Sequence, residues 1–242
     1  MARLFDNNAA NYMSRSSVNL GLNGATACSF GYWIKITNIN TTLQQRILAK
    51  EINGKESQNS IWSVIVANAT TIQFQVQNSV GILFPDWTLN SGIGTGTWHR
   101  LLFAWQRTAS AISTDASVYL DGVAVSTTFT ANGYSNTFTI EEDTSNLYYG
   151  IRAISLTQPL DAALDWVCVW NRQLTAQEVL LDYTNPRNVT NGLVSRVRLG
   201  GTDADEAYGG NMAVNGTLRD VSGNVPIRAG AHRSMFQSVN WE

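Results

Sequence analysis

The feature that most constrains the fold of this chain is the alternation of apolar and polar side chains in several separate segments. In "TIQFQVQ" (residues 71–77), apolar residues alternate with Gln73, Gln75 and Gln77, so one face of this segment is expected to be wet. In "CSFGYWIKI" (28–36), the residues of one face are Cys28, Phe30, Tyr32, Ile34 and Ile36. Because side chains of a β-strand point alternately to opposite faces, a period of two predicts strands that are buried on one side.

Turn residues separate these segments from others of similar character. Further strands are expected at 60–66, 97–105, 116–121, 145–151, 163–171 and 193–199. Asn68-Ala69 is predicted to form a hairpin turn, and Asp121-Gly122 supplies the positive φ angles that a two-residue turn requires. Strands with turns every 8–12 residues predict an antiparallel two-sheet sandwich, an all-β fold.

One short helix is predicted near residues 175–183. Thr175 is followed three residues later by Glu178, which is the spacing of a capping box. Val179, Leu180 and Tyr183 form an apolar stripe, and Asn185-Pro186 is expected to end the helix.

Composition limits the function classes. Charged residues make up 14% of the 242-residue chain and its formal net charge is −2, which argues against a nucleic-acid surface. No segment is apolar over the roughly 18 residues of a membrane span, and residues 1–6 do not resemble a secretory signal. Because of this charge balance and the lack of a long apolar segment, we expect no nucleic-acid or membrane partner. A chain rich in Asn, Thr and Ser is common among secreted, cell-surface and virion proteins.

The amino-acid composition of the chain changes after Pro186. Residues 187–242 contain one clear strand and then loops rich in Gly, Asn and Asp. We therefore predict a domain at 1–186 and a C-terminal extension at 187–242 that packs on the sandwich or on a partner.

Seven segments, taken in order, resemble the laminin-G-like, concanavalin A-like lectin and glucanase superfamily. They are "LFDNNAANYM", "CSFGYWIKI", "ILAK", "TWHRLLFAW", "VYLDGVAV", "LYYGIRA" and "LDWVCVWNRQLTAQEVLLDY", and they cover roughly residues 3–184. The resemblance implies an antiparallel jelly-roll sandwich. Because this superfamily contains lectins, adhesion domains and enzymes, the fold alone does not decide the function.

The acidic residues do not match a catalytic pattern. Glucanases of this superfamily carry Glu-x-Asp-x-Glu on one strand, and no such motif occurs here. We expect two acidic groups to be solvated loop charges: Glu141, Glu142 and Asp143, and also Asp203, Asp205 and Glu206. No catalytic residue is assigned, and the chain is predicted not to be an enzyme.

No metal or other cofactor is predicted either. Calcium requires six to eight oxygen ligands, and the segment after the glycine strand offers only Asp161. Asp6 and Asp165 could join a structural calcium site, with capping or turn bonding as the favoured alternative.

The resemblance also implies which side chains face inwards. With Val167 and Val169 inside the sandwich, Trp166, Cys168 and Trp170 point outwards. By the same logic Trp33 lies on an outer face and Cys28 inside, so the two cysteines should not form a disulfide. An exposed aromatic patch is rare in an isolated chain. We therefore predict an assembly face of Trp33, Trp166 and Trp170, covered by the 187–242 extension or by a neighbouring subunit.

Two aromatic residues in turn-rich segments are candidates for ligand binding. Trp87 in "FPDWTLNSG" and Tyr134 in "ANGYSN" are predicted to stack against a sugar. The alternative for Trp87 is a plug that closes one end of the sandwich.

The predicted function is a non-catalytic recognition or assembly module, most specifically a phage virion protein such as a capsid decoration protein or a fibre adhesin. This prediction places the chain on the virion surface, as a homo-oligomer or bound to other virion proteins, with a cell-surface glycan as a further partner. The alternative is a free-standing carbohydrate-binding module of a bacterial surface or secreted protein, in an extracellular or cell-surface location. A glycan-active enzyme stands third.

Overall fold

A computed structural model of the protein describes residues 2–40, 42–52, 59–67, 71–78, 85–152, 157–199 and 212–221. These residues form two antiparallel sheets and one α-helix. The apolar side chains of both sheets meet in a shared core. The predicted all-β sandwich with one short helix is therefore confirmed.

Sheet A contains eight described strands. Their spatial order is β10 (Val123–Val125), β9 (Ala116–Leu120), β8 (His99–Gln106), β3 (Ala27–Ile36), β13 (Asp161–Trp170), β1 (Ala2–Asp6) and β16 (Arg219–Val221), and β14 (Leu193–Val197) also pairs with β13.

Sheet B also contains eight described strands. Their order is β11 (Thr127–Thr130), β7 (Asp86–Leu89), β6 (Ile72–Val76), β5 (Asn59–Ile65), β4 (Gln45–Glu51), β12 (Leu147–Tyr149), β2 (Tyr12–Arg15) and β15 (Ala213–Asn215). A 3₁₀ turn at Ser113–Asp115 precedes β9.

The core between the sheets follows the predicted alternation. All five residues assigned to one face of β3, from Cys28 to Ile36, lie in this core. Its centre is aromatic: the rings of Phe74 and Phe103 stack with centroids 5.5 Å apart, and Phe30 packs 5.1 Å from Phe103. Such ring pairs add to the free energy of burial.

A β-bulge interrupts the alternation in β13. Ala162 and Leu164 point into the core, and strict alternation would place Trp166 there as well. Instead Trp166 adopts a φ of 45°, and the pairing with β3 shifts between Asp165 and Cys168. The extra residue reverses the parity, so Val167 and Val169 point inwards. Their predicted orientation is confirmed.

The local turn and cap predictions are confirmed. Asp121 and Gly122 have φ angles of 53° and 83° between β9 and β10. Helix α1 (Ala176–Thr184) begins with the Thr175–Glu178 capping box. The proposed turn at Asn68-Ala69 lies outside the described residues, although β5 and β6 pair antiparallel on either side of it.

The described parts of 187–242 contribute strands to the sandwich. β14 extends sheet A beside β13, β16 pairs with β1, and β15 pairs with β2 in sheet B. This chain segment therefore adds to both layers. The boundary at 186 stays a prediction.

Candidate functional site

The three tryptophans of the predicted assembly face point away from the core, as expected, but the chain itself covers them. Trp33 is fully buried, and its ring stacks on Tyr183 of helix α1 with centroids 5.6 Å apart. The ring of Trp166 lies under the guanidinium of Arg187, which is 4.9 Å from its centroid.

Trp170 is covered in the same way, because its Nε1 donates a hydrogen bond to the Val189 carbonyl at 3.2 Å. Of the two predicted covers, the start of the 187–242 segment is present, through Arg187 and Val189. Helix α1, which was not predicted as a cover, contributes Tyr183. The prediction that these rings form a face for assembly is wrong, since Trp33, Trp166 and Trp170 are at most 3% exposed.

A buried ion pair fastens helix α1 to sheet A. Arg100 Nη2 lies 2.7 Å from Asp182 Oδ2, and Arg100 Nη1 donates to the Trp166 carbonyl at 2.6 Å. Burial alone would lower the pKa of Arg100, but Asp182 and Cys168 together outweigh it and the pKa is raised. The guanidinium therefore stays charged although it is buried.

Cys28 and Cys168 are both buried and unpaired. Cys28 faces the core between the sheets, whereas Cys168 faces helix α1 on the other side of sheet A. Because the sheet separates the two thiols, the prediction of no disulfide is confirmed.

Trp87 lies within strand β7 and not in an open loop. It is fully buried, its ring centroid is 5.4 Å from that of Phe103, and its Nε1 donates to the Ser113 carbonyl at 3.0 Å. A ring without an exposed face cannot stack on a sugar. The predicted ligand contact is wrong for Trp87 because strand parity turns the ring into the core.

Tyr134 is half-buried at the end of the same core. Its hydroxyl donates to Asp115 Oδ2 at 2.5 Å and accepts from Trp105 Nε1 at 3.0 Å. Its ring packs edge-on against Trp87, with centroids 6.0 Å apart. Burial and the Asp115 hydrogen bond raise the pKa of Tyr134. The residue packs at the edge of the core, and the ligand contact predicted for it stays a prediction.

Glu142 is a buried anchor, which corrects the expectation of a solvated charge. Its two carboxylate oxygens accept the backbone N–H groups of Leu20 and Leu22 at 2.6 and 2.7 Å. The ammonium of Lys50 lies 3.8 Å from it and is fully buried. Burial raises the pKa of Glu142. Glu141 and Asp143 are partly exposed, and Asp203, Asp205 and Glu206 lie outside the described residues.

The structure does not bring together the two carboxylates considered for calcium. Asp6 pairs with Asp161 at one end of β1, and Asp165 lies four residues further along β13, which is about 13 Å at 3.3 Å per residue. Asp6 accepts from Asn11 Nδ2 at 2.7 Å, and Asp165 accepts from the Trp166 N–H at 2.8 Å. Within the described ranges, no three His, Cys, Asp or Glu side chains are grouped to hold a metal ion.

The outer surface of sheet B differs from that of sheet A, which helix α1 covers. Its strand registers align one transverse row of residues on the face that points away from the core: Ser14, Tyr148, Ala49, Trp62, Gln75, Asp86 and Thr130. The next row contains Arg46, Val64 and Gln73. We call Arg46, Trp62, Gln73, Gln75, Asp86 and Tyr148 the Trp62 face.

Trp62 is a partly exposed aromatic ring at the centre of this surface. Ala49 lies beside it on β4 and Gln75 on β6. The guanidinium carbon of Arg46 lies 4.2 Å from the Trp62 ring centroid, a cation–π contact. Arg46 lies on the same strand as Ala49 and covers one side of the indole, whereas the short side chain of Ala49, directly opposite Trp62, adds no further bulk.

A hydrogen-bond network supports the polar side of the Trp62 face. Asp86 accepts from Asn132 Nδ2 at 2.9 Å and also bonds to the side chains of Gln73 and Thr130. Burial raises the pKa of Asp86, and these hydrogen bonds oppose that effect. The network fixes the orientation of the Gln73 amide.

The predicted wet face of β6 is only partly exposed. Gln73 is partly exposed, but Gln75 and Gln77 are each 4% exposed. Gln75 is flanked by Trp62 and Asp86 on the neighbouring strands. The orientation of the glutamines was correctly predicted, and their exposure was not.

Two tyrosines lie at the other end of the transverse row. The rings of Tyr148 and Tyr12 are 6.1 Å apart, and the Tyr148 hydroxyl accepts from Asn146 Nδ2 at 2.8 Å. Both rings are partly exposed.

Sequence reasoning identified the glutamines of the Trp62 face but missed Trp62 and Arg46. A signal for Trp62 was present, because it alternates with Ile61 and Ser63 in a strand next to the glutamine strand. Nothing local marked Arg46, since its hydrogen-bond partner Gln158 is 112 residues away in the chain.

A comparison of the sequence against known families identifies the superfamily. A laminin G-type model of the concanavalin A-like lectin/glucanases superfamily matches residues 7–180. The chain belongs to this superfamily. Among curated protein sequences, no significant match is found.

Solved structures with the superfamily's jelly roll show the same fold. A heptameric SAP-like pentraxin from Limulus polyphemus superposes with a TM-score of 0.62 at 12% identity, over 90% of this chain and 93% of the pentraxin. A protein from Bacteroides ovatus ATCC 8483, described as a candidate carbohydrate-binding protein, gives 0.63 at 12% identity, over 93% of this chain and 61% of that one.

The binding domain of botulinum neurotoxin serotype G gives a TM-score of 0.55 at 10% identity, over 76% of this chain and 42% of the toxin domain. The chain thus spans less than two thirds of two of these three relatives. At such low identity, the likeness concerns the fold alone.

No helix in the described part of the chain has the length and apolar character needed to cross a bilayer.

Proposed function

We propose that this protein is a non-catalytic carbohydrate-binding module whose glycan contacts the Trp62 face. The observation that carries the proposal is a partly exposed tryptophan at the centre of a sheet surface lined by amide, carboxylate and phenol groups. Sugar rings have apolar C–H faces and polar rims. A site for them combines aromatic side chains with a few oriented polar groups.

The proposal of a non-catalytic role is supported by the carboxylates. Glycoside hydrolysis needs two carboxyl groups about 5–10 Å apart on either side of the scissile bond. Glu142 is committed to two backbone N–H groups and Lys50, and the Trp62 face has Asp86 as its acidic member. Membership of a superfamily that includes lectins agrees with a binding role.

The experiment that tests this proposal compares two tryptophan variants on a glycan array, followed by calorimetry on any ligand found. Trp62→Ala is expected to weaken binding at least about tenfold, because an aromatic contact surface is lost. Trp98→Ala is the matched control, since Trp98 is partly exposed but packs beside Trp33 and Trp166 on sheet A. Equal binding by both variants would overturn the proposed site.

A second candidate function is assembly on a virion surface, with the edge of sheet A as the contact between copies. Val123 in β10, the last described strand at this edge, is 67% exposed, and Leu180 of α1 is 50% exposed. A Cβ added at Gly122 would lie 3.3 Å from Leu180 Cδ1, so the hairpin and helix form one apolar patch. The low charge content also supports this role.

Light scattering tests the assembly proposal. The wild-type protein is expected to be oligomeric, and Val123→Lys is expected to shift it towards the monomer, because a charge would have to be buried. A monomeric wild-type protein would exclude self-assembly through this edge. Copurification with particles would test the virion location separately.

A further inference from the structure

Arg46 is a buried cation that uses only part of its hydrogen-bonding capacity. The residue is 5% exposed, and its Nη2 donates to Gln158 Oε1 at 3.1 Å. Its Nε and Nη1 have no hydrogen-bond partner among the residues that the structure describes. Buried polar groups are nearly always paired, and an unpaired charged donor is costly. Two unused donors on one buried guanidinium therefore require an explanation.

The Arg46 side chain is held in place from two sides. Its guanidinium rests on the Trp62 ring. Gln158 bonds it twice, because the Gln158 carbonyl accepts the Arg46 backbone N–H at 2.9 Å and the side chain accepts Nη2. Gln158 itself has a φ of 59°, which is unfavourable for a residue other than glycine. The cation is thus preorganised and is not a flexible surface charge.

The electrostatics around Arg46 favour an anion. Burial, and then the nearby positive charge of Arg152, lower the pKa of Arg46 to about 9. A negative charge close to Arg46 would oppose both of these effects and stabilise its charged form. A planar guanidinium is also the side chain best suited to carboxylate, sulfate or phosphate oxygens.

We propose that the Trp62 face selects acidic glycans, with Arg46 binding the carboxylate or sulfate group of a sugar next to the residue that contacts Trp62. This inference rests on the proposed carbohydrate-binding function and assigns its ligand class. The oxyanion accepts hydrogen bonds from the unused nitrogens of Arg46, and the Trp62 indole contacts the apolar face of the adjoining ring. Gln158 is a positioning residue.

The test uses matched pairs of ligands with the wild-type protein. One arm compares uronic-acid oligosaccharides with their methyl esters, and the other compares sulfated oligosaccharides with their desulfated forms. The acidic member of at least one pair is expected to bind about tenfold more tightly or better, as for a hydrogen bond to a charged group. The arm that shows the preference identifies the oxyanion.

Arg46→Gln then assigns the preference to a residue. This variant is expected to bind the acidic and neutral members of the pair equally. Lys35→Gln is the control, because it removes the same charge from sheet A, where Lys35 is partly exposed in β3. A preference that survives in Arg46→Gln would overturn the assignment, and a folding defect in that variant leaves the wild-type comparison decisive.

The outcomes distinguish this inference from the proposed function. Equal wild-type binding of acidic and neutral members would overturn the selection of acidic glycans and leave carbohydrate binding intact. Failure of every oligosaccharide to bind would overturn both.

Discussion

At the scale of single residues, strand parity decides which aromatic side chains are available to a ligand. Trp87 and Trp62 are both tryptophans in sheet B, but Trp87 aligns with Phe74 on the inner face and Trp62 with Gln75 on the outer face. The first is fully buried and the second partly exposed. A loop-like sequence around Trp87 was therefore a poor guide to its exposure.

Asp165 is the residue expected to make stability depend on pH. It is 2% exposed, and burial raises its pKa to about 7, although a hydrogen bond from the Trp166 N–H acts in the opposite direction. In the unfolded chain an aspartate has a pKa of about 3.9. The folded state therefore binds the proton more strongly.

The sign of the pH effect follows from this difference. The stabilising contribution is fully present below about pH 4 and is lost as the pH rises through about 7. Asp165→Asn is expected to reduce the loss of unfolding free energy between pH 4.5 and 7.5, by up to about 3 kcal/mol. Urea denaturation at both pH values measures this change.

Glu178→Gln serves as the control for Asp165. Its hydrogen bond with Arg172 is the main reason why the pKa of Glu178 is lowered to about 2, so Glu178 does not titrate in this range. The difference in stability between pH 4.5 and 7.5 should therefore be unchanged in this variant. The same unchanged difference in Asp165→Asn would contradict the role of Asp165.

At the scale of elements, helix α1 acts as a cover for the outer face of sheet A. Its cap, Thr175 with Glu178, is local and exposed, whereas Asp182 reaches Arg100 in the sheet below. These two attachments differ in energy, because breaking a buried ion pair leaves one charge unpaired in a dry environment.

Removal of Asp182 is expected to be far more harmful than removal of the cap. Asp182→Ala should lower the free energy of unfolding by about 3–5 kcal/mol, whereas Thr175→Ala should cost about 1 kcal/mol. Chemical denaturation gives both values, and tryptophan fluorescence reports on Trp33 under the helix. Similar losses in the two variants would show that Arg100 finds another partner or enough water.

At the scale of the whole molecule, strands β14, β15 and β16 complete layers that the preceding residues begin. β13 lies inside sheet A and has β14 as an additional partner, and β1 is paired on its other side by β16. The sandwich and the described parts of the extension therefore share one framework of hydrogen bonds.

A chain that ends after residue 186 is expected to lose cooperative unfolding. It would lack β14 and the Val189 carbonyl that accepts from Trp170, so apolar surface at β13 would be exposed. Calorimetry and binding of a hydrophobic dye compare this variant with the full chain. A truncated protein with an unchanged melting transition and no dye binding would support the predicted domain boundary at 186 instead.

The sequence by itself determined the local features of this protein. The alternation in β3, the hairpin at Asp121-Gly122 and the capping box at Thr175 were all correctly predicted, because each depends on residues within one turn or strand. The sandwich fold was also correctly predicted, from the strand pattern and from the order of the family segments. The alternation, the hairpin and the capping box need no knowledge of distant contacts.

Only the tertiary structure decided which tryptophans are buried and which are exposed. The bulge at Trp166 appears in the pairing of β13 with the distant strand β3. Trp33 is covered by Tyr183, about 150 residues further along the chain, and Arg46 lies over Trp62 of the neighbouring strand. Exposure and electrostatic environment arise from such packing, since a side chain's neighbours across a sheet are set by register and not by sequence distance. The candidate site belongs to this second group.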